Sequence, residues 1–570
     1  MRTGLGRLVA RLALAAGLGL SIAGVSLATP NPVYLNQGNA WTAAARADFY
    51  GRDQGSRIIR LAWLRALKTA DGAPFLQDGL ARYGYLPNPN GRFNLPIGFM
   101  AAGAAGNQYA AMNCSACHTR QIVVGGTEYR IDGGPAFTDF QAFLTDLDAA
   151  VGRVLADDAS FAAFAAQVPG AGPDLRDEVA AWYRREHALV SRALPANNPW
   201  GLGRLDAVSM IFNRLTGMDL GPPPSYMIDD NIQPAIAPVR YPFLWNAPRQ
   251  DLTQWPGFST NGNDFFGLIR NLGEVYGVFG VYRPRRQADH VDFLTDNSAQ
   301  WTGLGRLETL VRMIGPPQWP WRIDRALAAR GREIFNRPNW QDGGCVSCHG
   351  IRPGPFRPTL IPPRLNPTWA TPLCDTNTDT AEYAILNRTA QTGVLQGAHL
   401  PFLQPMGAQA KAFDLLAMSV IGSIVQNSTT LSPYLYVNSA MPLPPVAQQA
   451  VGSFALQGTR LCGQQAGPHK YESRVLQGIW AAAPYLHNGS VPTLADLLRR
   501  PEDRPASFRL GRNYDTALVG LARDQGASTY LRTTTGCDDL ASGNSRCGHD
   551  FGTNLSDADK LALLEYLKTL

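Results

Sequence analysis

Cys114-Ser115-Ala116-Cys117-His118 recurs once in the chain, as Cys345-Val346-Ser347-Cys348-His349, and the chemistry of this pentapeptide decides what kind of fold can hold it. In C-x-x-C-H each thiol can add across a vinyl group of haem. The two-residue spacer puts both sulfurs about one helical turn apart, and the adjacent imidazole ligates the iron. A bare C-x-x-C also suits a thioredoxin-type dithiol or half of a zinc site. Two copies, each followed directly by His, point instead to two covalently bound haem c groups, and so to a di-haem c-type cytochrome.

Outward from the first motif, Ala136–Val151 has helical period with Phe140, Phe143, Leu144 and Leu147 on one face, and a second helical stretch runs around Arg57–Thr69. Arg204, after a glycine turn, suits either a haem propionate or an ion pair with Asp206. Pro316-Pro317-Gln318-Trp319-Pro320-Trp321 marks a boundary, beyond which Ala328–Phe335 reads as a helix delivering the second motif. Trp245 lies 131 residues after Cys114 and Trp480 lies 135 after Cys345, which argues for a duplicated unit. A final helix runs from Ser556, its N-cap, to Leu570.

Eight histidines are present and two belong to the motifs. Of the rest, His549 is the expected sixth ligand of the second haem, because a glycine and a nearby cysteine can pin its loop. His487 competes for that role, while His187, His290, His399 and His469 read as surface or structural. No comparable histidine follows His118 within its own unit. One haem closed by two imidazoles suits electron transfer, and one left open suits dioxygen or peroxide, so the pair implies catalysis.

Residues 1–28 read as a signal peptide: Arg2, Arg7 and Arg11 precede the apolar run Leu12–Leu27, and Ser26-Leu27-Ala28 offers a cleavage site. The alternative is an uncleaved anchor. Export, to the periplasm or outside the cell, agrees with covalent haem attachment, and no stable membrane insertion is expected after cleavage. The four cysteines outside the motifs favour a Cys537–Cys547 pairing that closes a short loop, leaving Cys374 with Cys462 by elimination. The formal charge of +6 includes the three leader arginines, so nucleic acid is excluded as a partner. With 57 Gly and 42 Pro, the expected fold is mainly α, with two cytochrome-c-like haem domains, long ordered loops and an N-terminal extension. The expected divisions are 1–28, 29–95 for the extension, 96–320 for the first haem domain and 321–570 for the second.

The paired motifs, Trp255-Pro256-Gly257, and the run Ala483-Pro484-Tyr485-Leu486-His487-Asn488-Gly489-Ser490-Val491-Pro492-Thr493-Leu494 resemble the bacterial di-haem cytochrome c peroxidase superfamily, which includes MauG. Gly543–Gly552 and Arg270-Asn271-Leu272-Gly273-Glu274 more specifically resemble its rubber oxygenase, RoxA-like, branch. The resemblance implies that His118 ligates a reactive haem, that His349 and His549 ligate an electron-transfer haem, and that Trp255 couples the two. Peroxidases of the superfamily carry a glutamine ten residues after that tryptophan and a glutamate ten further on. Here Phe265 stands ten on and Glu274 nineteen on.

Phe265 and Phe266 are therefore expected to line the distal side, with Glu274 handling protons. The implied reaction is attack of dioxygen on an isoprenoid double bond, in a polymer or another small organic substrate. The alternatives are reduction of hydrogen peroxide with electrons from a small cytochrome or cupredoxin, and pure electron transfer. Calcium between the domains is left open.

Overall fold

The computed structural model describes residues 31–195, 199–339, 343–359, 364–399, 404–427 and 467–570. The expected leader and Cys462 lie outside these residues. The fold is mixed, 36% helix and 16% strand, which corrects the mainly α expectation. The strands come from short ladders that helical-period reading passes over. Thr119–Val124 pairs antiparallel with Thr127–Asp132 around Gly125-Gly126, both at positive φ (56° and 79°). A two-residue turn with φ > 0 at both positions matches the right-handed twist of a hairpin, and glycine adopts it without strain.

The residues after position 30 are woven into the first motif's surroundings rather than laid over them. Val33–Tyr34 joins the Thr127–Asp132 strand in parallel, and Ile59–Arg60 joins Tyr109–Met112. The stretch expected to be helical over Arg57–Thr69 is thus partly strand, with only Leu61–Ala66 helical. Asp132, fully buried, accepts from Trp41 Nε1 at 2.8 Å, Arg46 Nε at 2.6 Å and Tyr50 Oη at 2.5 Å. A buried carboxylate with three donors, one a guanidinium, has its desolvation offset.

The other helices follow their caps. Asp139 accepts from Ala142 N and starts Phe140–Leu155 four residues later than the apolar period alone suggests. Asp324 caps Arg325–Phe335, and Ser556 accepts from Asp559 N at 3.2 Å to start Asp557–Leu567. Among the described residues no helix is long and apolar enough to cross a membrane.

The hydrophobic cores cross position 320. One gathers Leu35, Trp245 and Leu310 with Trp480 and Leu567. Another packs Leu272, Val275 and Tyr276 of the Asp264–Gly277 helix against Leu415, Val420 and Ile421 of the Ala412–Gln426 helix.

A duplication is visible in the backbone. Asn246, at φ 62°, opens the 3-10 turn Ala247–Arg249, and Gly478, at φ 69°, opens Ile479–Ala482. Leu252–Thr253 and Ser259–Thr260 close a turn holding Gln254 and Gly257 at φ 71° each. Tyr485 and Val491 close its counterpart, with Leu486 at 61° and Gly489 at 66°. Each pair is 232 residues apart, the separation that also joins Trp245 Nε1 to the carbonyl of Gln477 at 2.7 Å. The counterpart of Trp245 is therefore Gln477, not Trp480, and the counterpart of Trp255 is His487. The two turns meet reciprocally: Arg240 N donates to His487 O at 2.8 Å and Glu472 N donates to Trp255 O at 2.7 Å. Such an exchange is the signature of two-fold-related elements.

Candidate functional site

Each motif folds as a single turn of helix. Asn113 caps the first, accepting from Ser115 N at 3.0 Å while its amide donates to the carbonyls of Phe49 and Arg52. His118 Nδ1 then lies 2.9 Å from the carbonyl of Pro242, 124 residues on, and His349 Nδ1 lies 2.7 Å from the carbonyl of Arg474, 125 residues on. A carbonyl can only accept, so Nδ1 carries the proton in both rings and Nε2 keeps its lone pair for a metal. Burial holds His118 down to about 4 and lowers His349 as well. Burial thus favours the neutral form, which is the one that ligates, at both.

Around His349 the walls close from two sides. The ring of His549 stands opposite, its centre 6.2 Å away with the planes 40° apart. Two imidazoles on one iron, with metal–nitrogen bonds of about 2.0 Å, have ring centres about 6.3 Å apart. The cavity between them is lined by Cys345, Cys348, Leu494 and Leu498 and encloses about 1320 Å³ of atom-free space including its mouth. Buried Arg240 and Arg474 face it too, beside Glu472. Thiols, paired imidazoles, apolar walls and an excess guanidinium fit a haem c with its propionates.

The loop that presents His549 is over-determined. Gly548 has φ +79°, and a Cβ there would stand 2.3 Å from Thr376 O. His549 itself has φ 53°, and its amide donates to Thr376 O at 2.9 Å. Arg504 donates to the carbonyls of Arg546 and Gly548, at 2.7 Å each, and of His549 at 3.1 Å. Cys537 and Cys547 are disulfide-bonded, as expected. Cys374 is also disulfide-bonded. A left-handed non-glycine residue persists only where its surroundings hold it, and here they do.

His487 lines the same cavity but stacks on Tyr471, with ring centres 4.0 Å apart. His187 bonds Asp148 at 2.9 Å, His290 sits beside Asp289 at 2.7 Å, and His469 packs on Tyr383. All eight histidines are described, and no second imidazole packs against His118; among the described residues its aromatic neighbour is Tyr241, at 6.1 Å.

Trp255 and Gln254 divide between the two halves. Both have positive φ, 32° and 71°, and their side chains go to different cavities. The Trp255 ring lines the His349–His549 cavity, under the Arg240 guanidinium at 4.8 Å and 6.4 Å from His487. Gln254 lines a second cavity and donates to Glu274 Oε1 at 2.9 Å. That cavity is otherwise walled by apolar side chains such as Ile211, Phe258, Phe413 and Leu416, with Arg270 at its edge. Burial raises the Glu274 carboxyl above its ordinary range, against Gln254 and Arg270. Burial also raises the thiols of Cys114 and Cys117 to about 12, and the Glu274 carboxylate adds to the rise at both. Glu274 therefore lies within electrostatic reach of the first motif. Arg270 is fixed by Asn261 and by buried Glu308 at 2.7 Å.

Three expectations are corrected by these placements. Phe265 does not line the cavity that holds Glu274; it faces a surface hollow with Trp301 and Leu304. Nine residues is two and a half helical turns, so Phe265 and Glu274 point in opposite directions from one helix. Phe266 is buried in the core beneath the Arg357 guanidinium, 5.3 Å away. Arg204 is neither a propionate partner nor an ion pair with Asp206. It donates to Asn544 Oδ1 at 2.7 Å and Gly543 O at 3.2 Å, stapling the last loop to the first half, while Asp206 caps Ala207–Phe212.

Sequence reasoning missed Gln254. Its position just before Trp255 was a signal, because a turn with two left-handed residues sends neighbouring side chains apart. Among the described residues no cluster of three or more His, Cys, Asp or Glu that would hold a bare metal ion occurs.

Comparison with known proteins agrees with the second site. Residues 470–509 match the family model described as RoxA-like, cytochrome c-like; this segment carries Tyr471, Glu472, Arg474 and His487 of the cavity wall. The chain is 28% identical to "Uncharacterized protein y4iJ" of Sinorhizobium fredii (strain NBRC 101917 / NGR234), over 93% of this chain and 92% of that one. It is 27% identical to "Uncharacterized protein y4iM" of the same strain, over 59% of this chain and 66% of that protein. The match supports a haem c oxidoreductase.

Proposed function

We propose that the chain is an exported di-haem c-type oxidoreductase, with haem units at 96–320 and 321–570, that uses dioxygen at the His118 site to cleave a double bond of an apolar, isoprenoid-type substrate. The observation that carries this reading is the asymmetry of the imidazoles: His349 faces His549, and His118 faces none. Held at His118, a haem would supply oxidant binding and one-electron chemistry; held between His349 and His549, it would supply electron storage and transfer.

The chain's own residues divide the remaining tasks. Pro242 O and Arg474 O orient the two proximal rings through Nδ1. Trp255 stands between the halves, with its carbonyl tied to Glu472 N and its ring on the His349–His549 cavity, and serves as the electronic link. The apolar cavity bounded by Ile211, Phe258 and Phe413 excludes water and takes the hydrocarbon. Glu274 holds a proton there, positioned by Gln254. The balance is closed: one carbon–carbon double bond breaks, two carbonyls form, dioxygen is reduced and the alkene oxidised, with no external electrons. The Cys537–Cys547 disulfide supports an oxidising, extracytoplasmic location.

A second reading, reduction of hydrogen peroxide by electrons from a small cytochrome or cupredoxin, is favoured by the Gln254–Glu274 pair, because heterolysis needs a group that moves a proton between oxygens. The deciding experiment is incubation of the purified holoprotein with polyisoprene latex, with and without air and without added reductant or peroxide, followed by mass spectrometry. Carbonyl-ended fragments that require air support the oxygenase. Their absence, together with turnover of peroxide and a ferrocytochrome that Glu274→Gln abolishes, replaces it with the peroxidase.

A further inference from the structure

The Asp264–Gly277 helix contains three glycines, and two are required by close packing. A Cβ at Gly267 would stand 2.8 Å from the Glu308 carboxylate, and one at Gly277 would stand 2.3 Å from Ile211 Cγ1. Gly273 differs. The nearest atoms to a Cβ there are Leu416 Cδ1 at 3.8 Å and Val420 Cγ2 at 3.9 Å, ordinary van der Waals contacts, and its backbone is helical. Glycine is among the poorest formers of a helix interior. Neither conformation nor packing accounts for it at this position.

What the bare Cα does is leave space. Gly273 lines the cavity that holds Gln254 and Glu274, and Leu416 and Val420, on the Ala412–Gln426 helix from the other half, line it opposite. A side chain at 273 would project into the gap between the two helices, next to Glu274 in sequence and in space. We propose that Gly273 sets the bore of this cavity: it admits one thin apolar chain between the two helices and selects that chain by width, so that a methyl-branched chain passes only while position 273 carries no side chain. The inference rests on the apolar-substrate reading above. It adds the residue that discriminates among such substrates and the dimension along which it does so.

The test compares wild-type holoprotein with Gly273→Ala and Gly273→Val. Each is titrated with a short linear alkene and with a methyl-branched isoprenoid of equal chain length, and binding is followed by the visible spectrum of the ferric protein and by the ligand-induced rise in melting temperature. Gly273→Ala is expected to melt no lower than wild type without ligand, because alanine is the better helix former. It should keep the linear alkene and lose about tenfold in affinity for the branched one, the scale of one misplaced methyl in an apolar pocket. Gly273→Val should lose both ligands while keeping its haem content.

Unchanged affinity of a folded Gly273→Val for both probes would overturn the proposal while leaving the apolar-substrate reading standing. Failure of wild type to bind either probe would overturn that reading, and this proposal with it. A lower melting temperature for Gly273→Ala would show that the glycine serves packing, which also overturns the proposal.

Discussion

The two C-x-x-C-H sites share a scaffold and differ in what the rest of the chain lends them. Both motifs are one helical turn, both histidines give Nδ1 to a carbonyl about 125 residues on, and both halves carry the same left-handed turn 232 residues apart. At the second site a distant loop, locked by Gly548, Arg504 and a disulfide, brings an imidazole to the far face. At the first, no imidazole approaches His118, and the same half instead carries an apolar cavity around Glu274 that is closed by the Ala412–Gln426 helix. The turn itself diverges in step: Gln254-Trp255 in one half stands where Leu486-His487 stands in the other. The backbone of the two halves repeats, and what differs is the side chains and loops added around each copy.

The largest expected effect breaks one side of this comparison outright. Replacing Cys345 and Cys348 by alanine should halve the haem content per chain in a pyridine haemochrome assay and leave the first site's spectrum in place; loss of both haems would mean that the sites assemble as one unit. Next, His549→Ala should make the second site resemble the first. Its low-spin electron paramagnetic resonance signal should turn high-spin, and a signal that stays low-spin would assign the ligand to His487, which lines the same cavity.

A smaller effect separates strain from contact. Gly548→Ala sets a Cβ against Thr376 O in a left-handed backbone and should cost about 1–3 kcal/mol. Gly125→Ala, also at positive φ but with nothing within 4 Å, should cost about 1 kcal/mol. Denaturant unfolding of the holoproteins measures both, and equal losses would mean that the loop yields and the His549 cradle is soft.

The smallest effect concerns Glu274. Burial raises its carboxyl above the value of the unfolded chain, so the native state binds more protons than the unfolded state over that window. Stability is therefore lost as pH climbs from the ordinary carboxylate range, about 4.3, through the raised value. Glu274→Gln should remove that loss, melting higher than wild type at neutral pH and level with it in acid. A variant less stable at every pH would show that the charge is fully compensated by Gln254 and Arg270.

How far the site could be read in advance follows from the range of each interaction. The motifs, the Ser556 cap and the Cys537–Cys547 loop are local patterns, and their consequences stay within a few turns of chain. The pinned loop around His549 was legible because its own neighbours, a glycine and a cysteine, announce it. The Gly125-Gly126 hairpin was also local and was missed through attention to helical period. Phe265 was misplaced because counting residues from Trp255 ignores where the Asp264–Gly277 helix begins and hence which way each side chain turns. The Trp245–Trp480 match failed by three residues, since a shared residue type is weaker evidence of equivalence than a shared backbone conformation.

The sequence by itself determined where the two C-x-x-C-H motifs stand and which imidazoles adjoin their thiols, because the spacing within five consecutive residues is a covalent fact. Only the tertiary structure decided which motif histidine faces a second imidazole. The approach of His549 to His349 spans 200 residues, and the cavity of Glu274 is completed by Leu416 from the other half. Such approaches are set by packing of the whole core, where many weak contacts of large sequence separation act together and no single stretch records their sum.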